Sequence, residues 1–298
     1  MEPGIKGNRV DKKWVENGIE AYSTEAILGT LAHYGVAIDE AKFLEQAKLH
    51  FPLAMAEEWH SHWKGTGQFS RFPAAAAEEL WARLKKGEIA PTDLGLALIN
   101  LMKSMEVVLD GKPDDGTHDT RFKVVEAYLP KLPPAGEDGR RNRFLGETLA
   151  SLGEWSAVLD TMAEALAEKG ALELANRLAS IDEGMFPEHA GITRGLIKTR
   201  TDREAGVADL KAIGHDAARL PLTRLAAAEA LVAHEQAGDA KPILLALLDH
   251  AEKERDAELA GNVVETLRKL LESDSGRGDL LELRDRIEKL VRTFEAAS

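Results

Sequence analysis

Cysteine is absent from all 298 residues of the chain. This absence excludes disulfide frameworks, cysteine nucleophiles and the zinc or iron–sulfur sites that depend on thiolate ligands. A chain without thiols suits a reducing compartment, and we expect a cytoplasmic location. The opening residues 1–14 are polar and lack the apolar core of a secretory signal peptide, so we expect no targeting segment.

Long hydrophobic runs and an excess of positive charge are also missing. No window approaches the ~18 consecutive apolar residues of a membrane-spanning helix, so we expect no membrane insertion. The net charge is −13, and both halves of the chain are acidic. Nucleic-acid binding depends on a basic footprint that neutralises phosphates, so we expect no nucleic-acid partner. The acidic balance favours solubility and partners with basic surfaces.

Runs of β-branched residues are nearly absent, and no stretch alternates apolar and polar residues for long enough to predict a strand. From about residue 140 the sequence predicts one helix after another, each ended by Gly, Pro, Asp or Ser. The predicted helices lie near 141–152, 155–168, 171–181, 188–199, 204–218, 221–237, 240–254, 257–272 and 278–296. We therefore predict an all-α fold of stacked antiparallel helix pairs.

Helical patterns also fill the first half, which holds most of the aromatic residues. Of the 16 Phe, Trp and Tyr residues, ten lie within the first 81 positions. Asp39 and Pro73 mark two helix starts, because both residue types are favoured there. The Pro/Gly/acidic stretch 130–139 predicts a linker. It would separate an aromatic-rich helical N-terminal unit, 1–129, from a helical-repeat array, 140–298.

Residues 142–170 have the helix–turn–helix pattern of a short repeat. Its positions are Leu145, Gly146 and Leu149 on the first helix, Gly153, Glu154 and Trp155 in the turn, and Met162, Ala165 and Leu166 on the second helix. The segment resembles one tetratricopeptide repeat, departing from it at Val158, where the family usually has Ala, and at Gly170, where it often has Pro. No second copy follows at the family's ~34-residue step.

This resemblance implies a degenerate α-solenoid that serves as a protein-binding scaffold. Gly146 and Ala165 are the small residues expected to let the two helices of the repeat approach closely. The resemblance names no partner.

The segment 57–69, EEWHSHWKGTGQF, combines two tryptophans, two histidines and two glutamates. If it is helical, Trp59 and Trp63 share one face at i, i+4 spacing, which is typical of a core stripe or of a partner groove. The candidate partner-binding residues are Trp59, His60, Trp63, Lys64 and Arg71. The structural alternative places the tryptophans in the core and the histidines on the surface or at the helix end.

A metal site is another interpretation of the same segment. Glu57 and His60 have the Glu-x-x-His spacing of di-metal carboxylate bundles, but the chain contains no second pair of this kind. His60 and His62 point about 200° apart on a helix, so they cannot hold one ion together unless the helix ends there. We therefore expect no metal and no cofactor. Glu57, Glu58, His60 and His62 would form the site if the protein were a helical metalloprotein or enzyme.

The predicted function is a non-enzymatic scaffold or adaptor that binds a protein or peptide partner, with a basic partner favoured by the acidic charge. No Gly-x-Ser-x-Gly, His-Glu-x-x-His or dinucleotide-binding motif occurs, and no catalytic residue is assigned. Two alternatives stay open, an acidic regulatory or immunity-type inhibitor of one partner protein and the helical metalloprotein. The basic cluster 139–144 is expected to bridge acidic neighbours or to contact a partner.

Overall fold

The computed structural model describes residues 9–112, 116–134, 139–152, 159–189 and 191–273. In these ranges the chain forms fifteen α-helices and no β-strand, which confirms the all-α prediction for them. None of these helices is long and apolar enough to cross a membrane. The last predicted helix, 278–296, lies outside the described residues.

The chain divides into two compact units, unit 1 at Met1–Ala157 and unit 2 at Val158–Ser298. Unit 1 contains α1 (Trp14–Asn17), α2 (Thr24–His33), α3 (Glu40–Leu49), α4 (Pro52–His62), α5 (Phe72–Leu84), α6 (Pro91–Leu109), α7 (Thr117–Tyr128) and α8 (Arg140–Leu152). Unit 2 contains α9 (Leu159–Glu168), α10 (Leu172–Met185), α11 (Ile192–Thr201), α12 (Arg203–His215), α13 (Pro221–Ala233), α14 (Ala237–Glu254) and α15 (Ala257–Ser273).

The division falls later in the chain than the linker expected at 130–139. The reason is that α8 packs on α6 and so belongs to unit 1. A stretch rich in proline, glycine and acidic residues ends a helix, but it does not by itself end a compact unit.

Side-chain caps fix several helix starts. At α3 the Asp39 Oδ1 accepts a hydrogen bond from the Lys42 N–H at 2.8 Å, as the sequence predicts. At α2 the cap is Ser23, whose Oγ accepts from the Ala26 N–H at 3.2 Å. The helix itself begins at Thr24, so the hydroxyl that caps it comes from the preceding residue.

Unit 1 is built around aromatic side chains. Its largest fully buried residues include Tyr22, Phe43, Phe51, Phe72, Trp81, Phe122 and Phe144. The Phe51 ring contacts both Trp81 and Phe144, with centroids 5.4 and 5.2 Å apart. Edge-on and tilted pairs of this kind stabilise a core beyond the burial of apolar area alone.

Unit 2 is an array of helices that pack in adjacent pairs. Each of the helices α9 to α15 packs on the next one along the chain. Helices α9, α11, α13 and α15 also contact one another in turn, and α12 contacts α14. A continuous cluster of buried Leu, Ile, Val and Ala side chains runs from α11 to α15. The packing of adjacent helices is therefore as expected.

Two glycines allow close helix approaches in unit 2. A Cβ added to Gly206 would overlap the backbone of Thr199 on α11, and one added to Gly195 would lie 2.8 Å from Leu210 Cδ2. The same role was expected of Gly146, and that expectation was wrong. Gly146 is exposed on α8, and its Cβ position has open space within the described part of the chain.

The C-terminus of α9 explains one departure from the tetratricopeptide pattern. Gly170 has φ +80°, and its N–H donates to Ala167 O at 2.9 Å, while the Ala171 N–H donates to Leu166 O at 2.8 Å. This pair of bonds is a Schellman motif, which needs a left-handed residue. Proline has φ fixed near −65° and could not occupy this position.

Candidate functional site

The candidate partner-binding residues divide into buried and exposed members. Trp59 on α4 is only 2% exposed, and its ring centroid lies 6.3 Å from that of Phe43. Its Nε1 donates to Gln46 Oε1 at 3.1 Å, which satisfies the indole N–H inside the fold. Trp59 therefore belongs to the core of unit 1.

Trp63 lies just beyond the last residue of α4, where the backbone is already extended. It therefore does not continue the helical face of Trp59. Its ring stacks on Phe72, with 5.8 Å between centroids and 12° between planes, and its centroid is 4.9 Å from that of Tyr34. Its Nε1 donates to Phe69 O at 3.0 Å. Trp63 is half-buried, and through its contacts with Phe69 and Phe72 it packs the loop after α4 against the core.

The other three candidate residues, His60, Lys64 and Arg71, are exposed. The Lys64 N–H donates to Tyr34 O at 2.9 Å, so its backbone is fixed while its side chain reaches solvent. These three side chains are the part of the predicted set that a partner could contact directly.

The residues of the metal interpretation, Glu57, Glu58, His60 and His62, are also all exposed. The Glu58 Oε1 accepts a hydrogen bond from Gln46 Nε2 at 3.3 Å. Within the described ranges, no three His, Asp or Glu side chains lie close enough together to hold a metal ion.

A second candidate surface lies in unit 2 and was not foreseen from the sequence. The α12–α14 groove has a volume of about 630 Å³ and is lined by Arg203, Glu204, Val207, Ala208 and Lys211 of α12, with Gln236 and Asp239 at the start of α14. Its apolar residues are Val207 and Ala208, and charged residues of both signs surround them.

Local structure positions these side chains. The Asp202 carboxylate caps α12 by accepting from the Ala205 N–H at 3.1 Å, and α12 buries Gly206 and Leu210 against its neighbours. Helical periodicity then places the groove residues on an adjoining face of α12. Because that face is left open between α12 and the start of α14, it is accessible to another molecule.

An ion pair and a hydrogen bond connect the groove residues of α12 to the neighbouring helices. Lys211 Nζ lies 2.7 Å from Asp239 Oδ1, which joins α12 to α14. The Arg203 guanidinium donates to the backbone oxygen of His234 at 2.8 Å, at the end of α13. Arg203, Lys211 and Asp239 therefore already have partners within unit 2.

The chain matches none of the known protein families, curated proteins and solved structures with which it was compared. The comparisons therefore assign it to no family.

A partly buried polar network joins three helices of unit 2. Glu164 Oε1, on α9, lies 2.8 Å from Arg200 Nε on α11 and 2.9 Å from His234 Nε2 at the end of α13. The Thr199 hydroxyl lies 3.3 Å from the same imidazole nitrogen. A nucleophile–base–acid relay uses both ring nitrogens of its histidine. Here both contacts fall on Nε2, so the arrangement ties helices together.

The groove residues could not have been selected from the sequence. Arg203, Lys211 and Asp239 have the spacing of ordinary solvated helix positions, and they meet only because α12 and α14 are next-but-one neighbours in the stack. Gly238 and Asp239 are residue types typical of turns and helix starts, but such local signals carry no information about which helices pack together.

Proposed function

We propose that the protein is a non-enzymatic adaptor that binds a segment of a partner protein through unit 2. The observation that supports this proposal is the continuous stack α9–α15, in which each helix packs on the next one. Stacks of helix pairs offer extended surfaces to other proteins, because each added pair lengthens the same face. The resemblance to a tetratricopeptide repeat implies the same use.

The α12–α14 groove is the surface proposed to receive the partner segment. Its volume of about 630 Å³ lies within the range of ligand-binding clefts in proteins. A partner segment with a small apolar side chain would cover Val207 and Ala208. Flanking residues of either sign would find an opposite charge at Arg203 or Glu204.

The net charge of −13 bears on the rate of association more than on the choice of segment. An acidic protein attracts basic partners over distances of about a Debye length, which raises their association rate. The groove itself is lined by two cations and two carboxylates, so it does not select a basic segment.

The proposal is tested by filling the groove without disturbing the core. Ala208 is exposed, so Ala208→Arg places a long side chain in the groove. Ala212→Arg makes the same change at an exposed alanine of α12 that does not line the groove. The expected result is a partner captured from lysate by the wild type and by Ala212→Arg, and reduced about tenfold or more with Ala208→Arg.

Circular dichroism establishes that both variants are folded, and calorimetry with the purified partner then gives the affinities. Equal affinities for the two variants would place the binding surface elsewhere on the chain. Failure of the wild type to bind any protein specifically would contradict the adaptor function.

A further inference from the structure

Unit 1 contains a cleft of opposite character to the chain as a whole. We call it the basic cleft, and its volume is about 430 Å³. It is lined by Lys48 in the last turn of α3 and Phe51 just after it, by Lys85, Glu88 and Ile89 after α5, by Lys131 and residues 132–134 before α8, and by Arg140 and Phe144 of α8. Four separate segments of the chain therefore contribute to one site.

The interior of the basic cleft is apolar. Phe51, Ile89, Leu132 and Phe144 are all buried. The Phe51 and Phe144 rings meet edge to face with centroids 5.2 Å apart, which gives the cleft a rigid aromatic floor. Both rings are almost fully covered by the protein itself, so the apolar surface open to a ligand comes from the edges of Ile89, Leu132 and Pro133 beside them.

The charge at the rim is unbalanced. Lys48, Lys85, Lys131 and Arg140 line the cleft together with one carboxylate, Glu88, and Lys48 Nζ is paired outside the lining with Glu45 Oε1 at 2.6 Å. Glu88 is shared, with Oε1 2.7 Å from Lys85 Nζ and Oε2 3.2 Å from Arg140 NH2. Within the described residues Lys131 makes no ion pair, and its Nζ lies over the Tyr128 ring, 5.8 Å from the centroid. Like charges collected in this way repel one another, and a bound anion would offset the repulsion.

The cleft is held in shape before any ligand binds. Arg140 donates to the backbone oxygens of Ala47 and Lys48 at 3.1 and 2.7 Å, and its guanidinium lies 4.8 Å from the Phe51 ring centroid. These contacts join the start of α8 to the C-terminal carbonyls of α3, where cations are favoured. Binding would therefore cost little ordering of this wall.

Prolines stiffen the opposite wall. After a 3-10 turn, the Leu132 N–H donates to Leu129 O at 3.2 Å, and Pro133 and Pro134 follow with their φ angles fixed by the ring. This wall carries Lys131 at its edge. The exposed ammonium is thus attached to a rigid support beside the apolar floor.

From these observations we infer that the basic cleft binds a small organic anion. Its apolar portion lies against Ile89, Leu132 and Pro133, and its phosphate or carboxylate group lies at the rim beside Lys131 and Lys85. A volume of about 430 Å³ suits a small molecule, whereas an acidic peptide would need a longer groove. This inference does not depend on the adaptor function of unit 2.

The test uses the fluorescent probe 8-anilinonaphthalene-1-sulfonate, an aromatic anion, with the full chain at low salt. We expect one-to-one binding that weakens as NaCl is added, because screening reduces the attraction of the lysines. Competition with phenyl phosphate and with phenylacetate identifies which head group the rim prefers. Inorganic phosphate and benzyl alcohol, which each lack one of the two required features, should compete poorly.

Matched variants locate the probe. Lys131→Ala should raise the dissociation constant about fivefold or more, and Lys131→Arg should retain binding because it keeps the charge. Lys103→Ala removes an exposed lysine of α6 that does not line the cleft, and it should bind as the wild type does.

Four results would overturn the inference. The first is the absence of probe binding, and the second is an equal effect of Lys131→Ala and Lys103→Ala on the dissociation constant. The third is equally tight binding of the uncharged analogue N-phenyl-1-naphthylamine. The fourth is displacement of the probe by an oligoglutamate peptide but not by phenyl phosphate or phenylacetate. The last result would assign the cleft to an acidic protein segment.

Discussion

Glu147 on α8 caps the start of α4, with its Oε2 accepting a hydrogen bond from the Leu53 N–H at 3.1 Å. Its Oε1 accepts from the Ala54 N–H at 3.3 Å. The residue at the N-cap position itself, Phe51, has no side-chain acceptor. Burial raises the pKa of Glu147 above its ordinary value, and these two backbone hydrogen bonds oppose that rise. A helix start without a local cap is thus stabilised from a distant part of unit 1.

Removing this carboxylate is expected to destabilise unit 1. Glu147→Ala leaves two N–H groups of α4 without their acceptor and should lower the free energy of unfolding by about 1–2 kcal/mol. Glu147→Gln should cost less, because the amide oxygen still accepts one bond. Urea denaturation measures both. Glu57→Ala, which removes an exposed carboxylate of α4, is the control. Equal losses for the three variants would mean that Glu147 does not act as a cap.

Stability should depend on pH through Asp182 on α10. Burial is the main cause that raises its pKa, and the nearby carboxylates Asp160 and Glu183 raise it further. The hydrogen bond from the Thr193 hydroxyl, at 2.6 Å, and the charge of His189 act in the opposite direction. The raised pKa means that the folded chain keeps this proton to a higher pH than the unfolded chain does.

The contribution of Asp182 to the free energy of unfolding is therefore largest at low pH and falls as pH rises through the folded pKa. Asp182→Asn keeps an acceptor for Thr193 and cannot ionise. Relative to the wild type, this variant should be more stable at pH 7 than at pH 4, as measured by thermal unfolding at both values. Glu173→Gln gives the background for losing one exposed carboxylate of α10. A pH-independent difference for Asp182→Asn would contradict the assigned shift.

Alanine should have opposite effects at two helical glycines. Gly206→Ala forces a Cβ into the backbone of Thr199 and should destabilise unit 2 by about 2–3 kcal/mol or more. Gly146→Ala adds a Cβ in open space on α8 and should stabilise unit 1 by about 0.5–1 kcal/mol, because alanine favours helix. Chemical denaturation of both variants gives the comparison. Similar destabilisation at the two sites would mean that α11 and α12 can move apart freely.

The predicted partner-binding residues should separate into two groups by mutation. Trp63→Ala removes the stacking on Phe72 and should lower the free energy of unfolding by about 2–4 kcal/mol. The double variant Lys64→Glu/Arg71→Glu changes only exposed side chains and should stay within about 0.5 kcal/mol of the wild type. Because the double variant stays folded, it tests the exposed surface around Lys64 and Arg71 in a pull-down better than a tryptophan variant does. If the double variant loses a partner that the wild type captures, the partner binds at this surface.

The sequence predicted the helices well because their signals are local. Asp39 and Pro73 lie at helix starts as expected, and the long Ala/Leu-rich stretches of unit 2 form α10 to α15. The basic cluster at 139–144 was expected to bridge acidic neighbours or to contact a partner, and Arg140 does bridge to Glu88. Capping, periodicity and turn residues act within a few positions, so they can be found without knowledge of tertiary contacts.

The sites were less predictable, since they depend on which elements meet. The sequence showed the i, i+4 spacing of Trp59 and Trp63 but not that α4 ends at His62. Because of that end, Trp59 lies in the helix and Trp63 lies beyond it, in a different environment. The four cations of the basic cleft come from distant segments, and the overall charge of −13 gave no sign of a local positive excess.

The sequence alone determined the helical character of the chain, the aromatic nature of its first core and the acidic balance of its surface. These properties follow from composition and from periods of a few residues. Tertiary structure decided that α8 joins unit 1, that Gly206 and not Gly146 is a close-approach position, and that four cations surround one apolar floor. Contacts between distant segments are selected by the packing of the whole unit, and no local pattern encodes them.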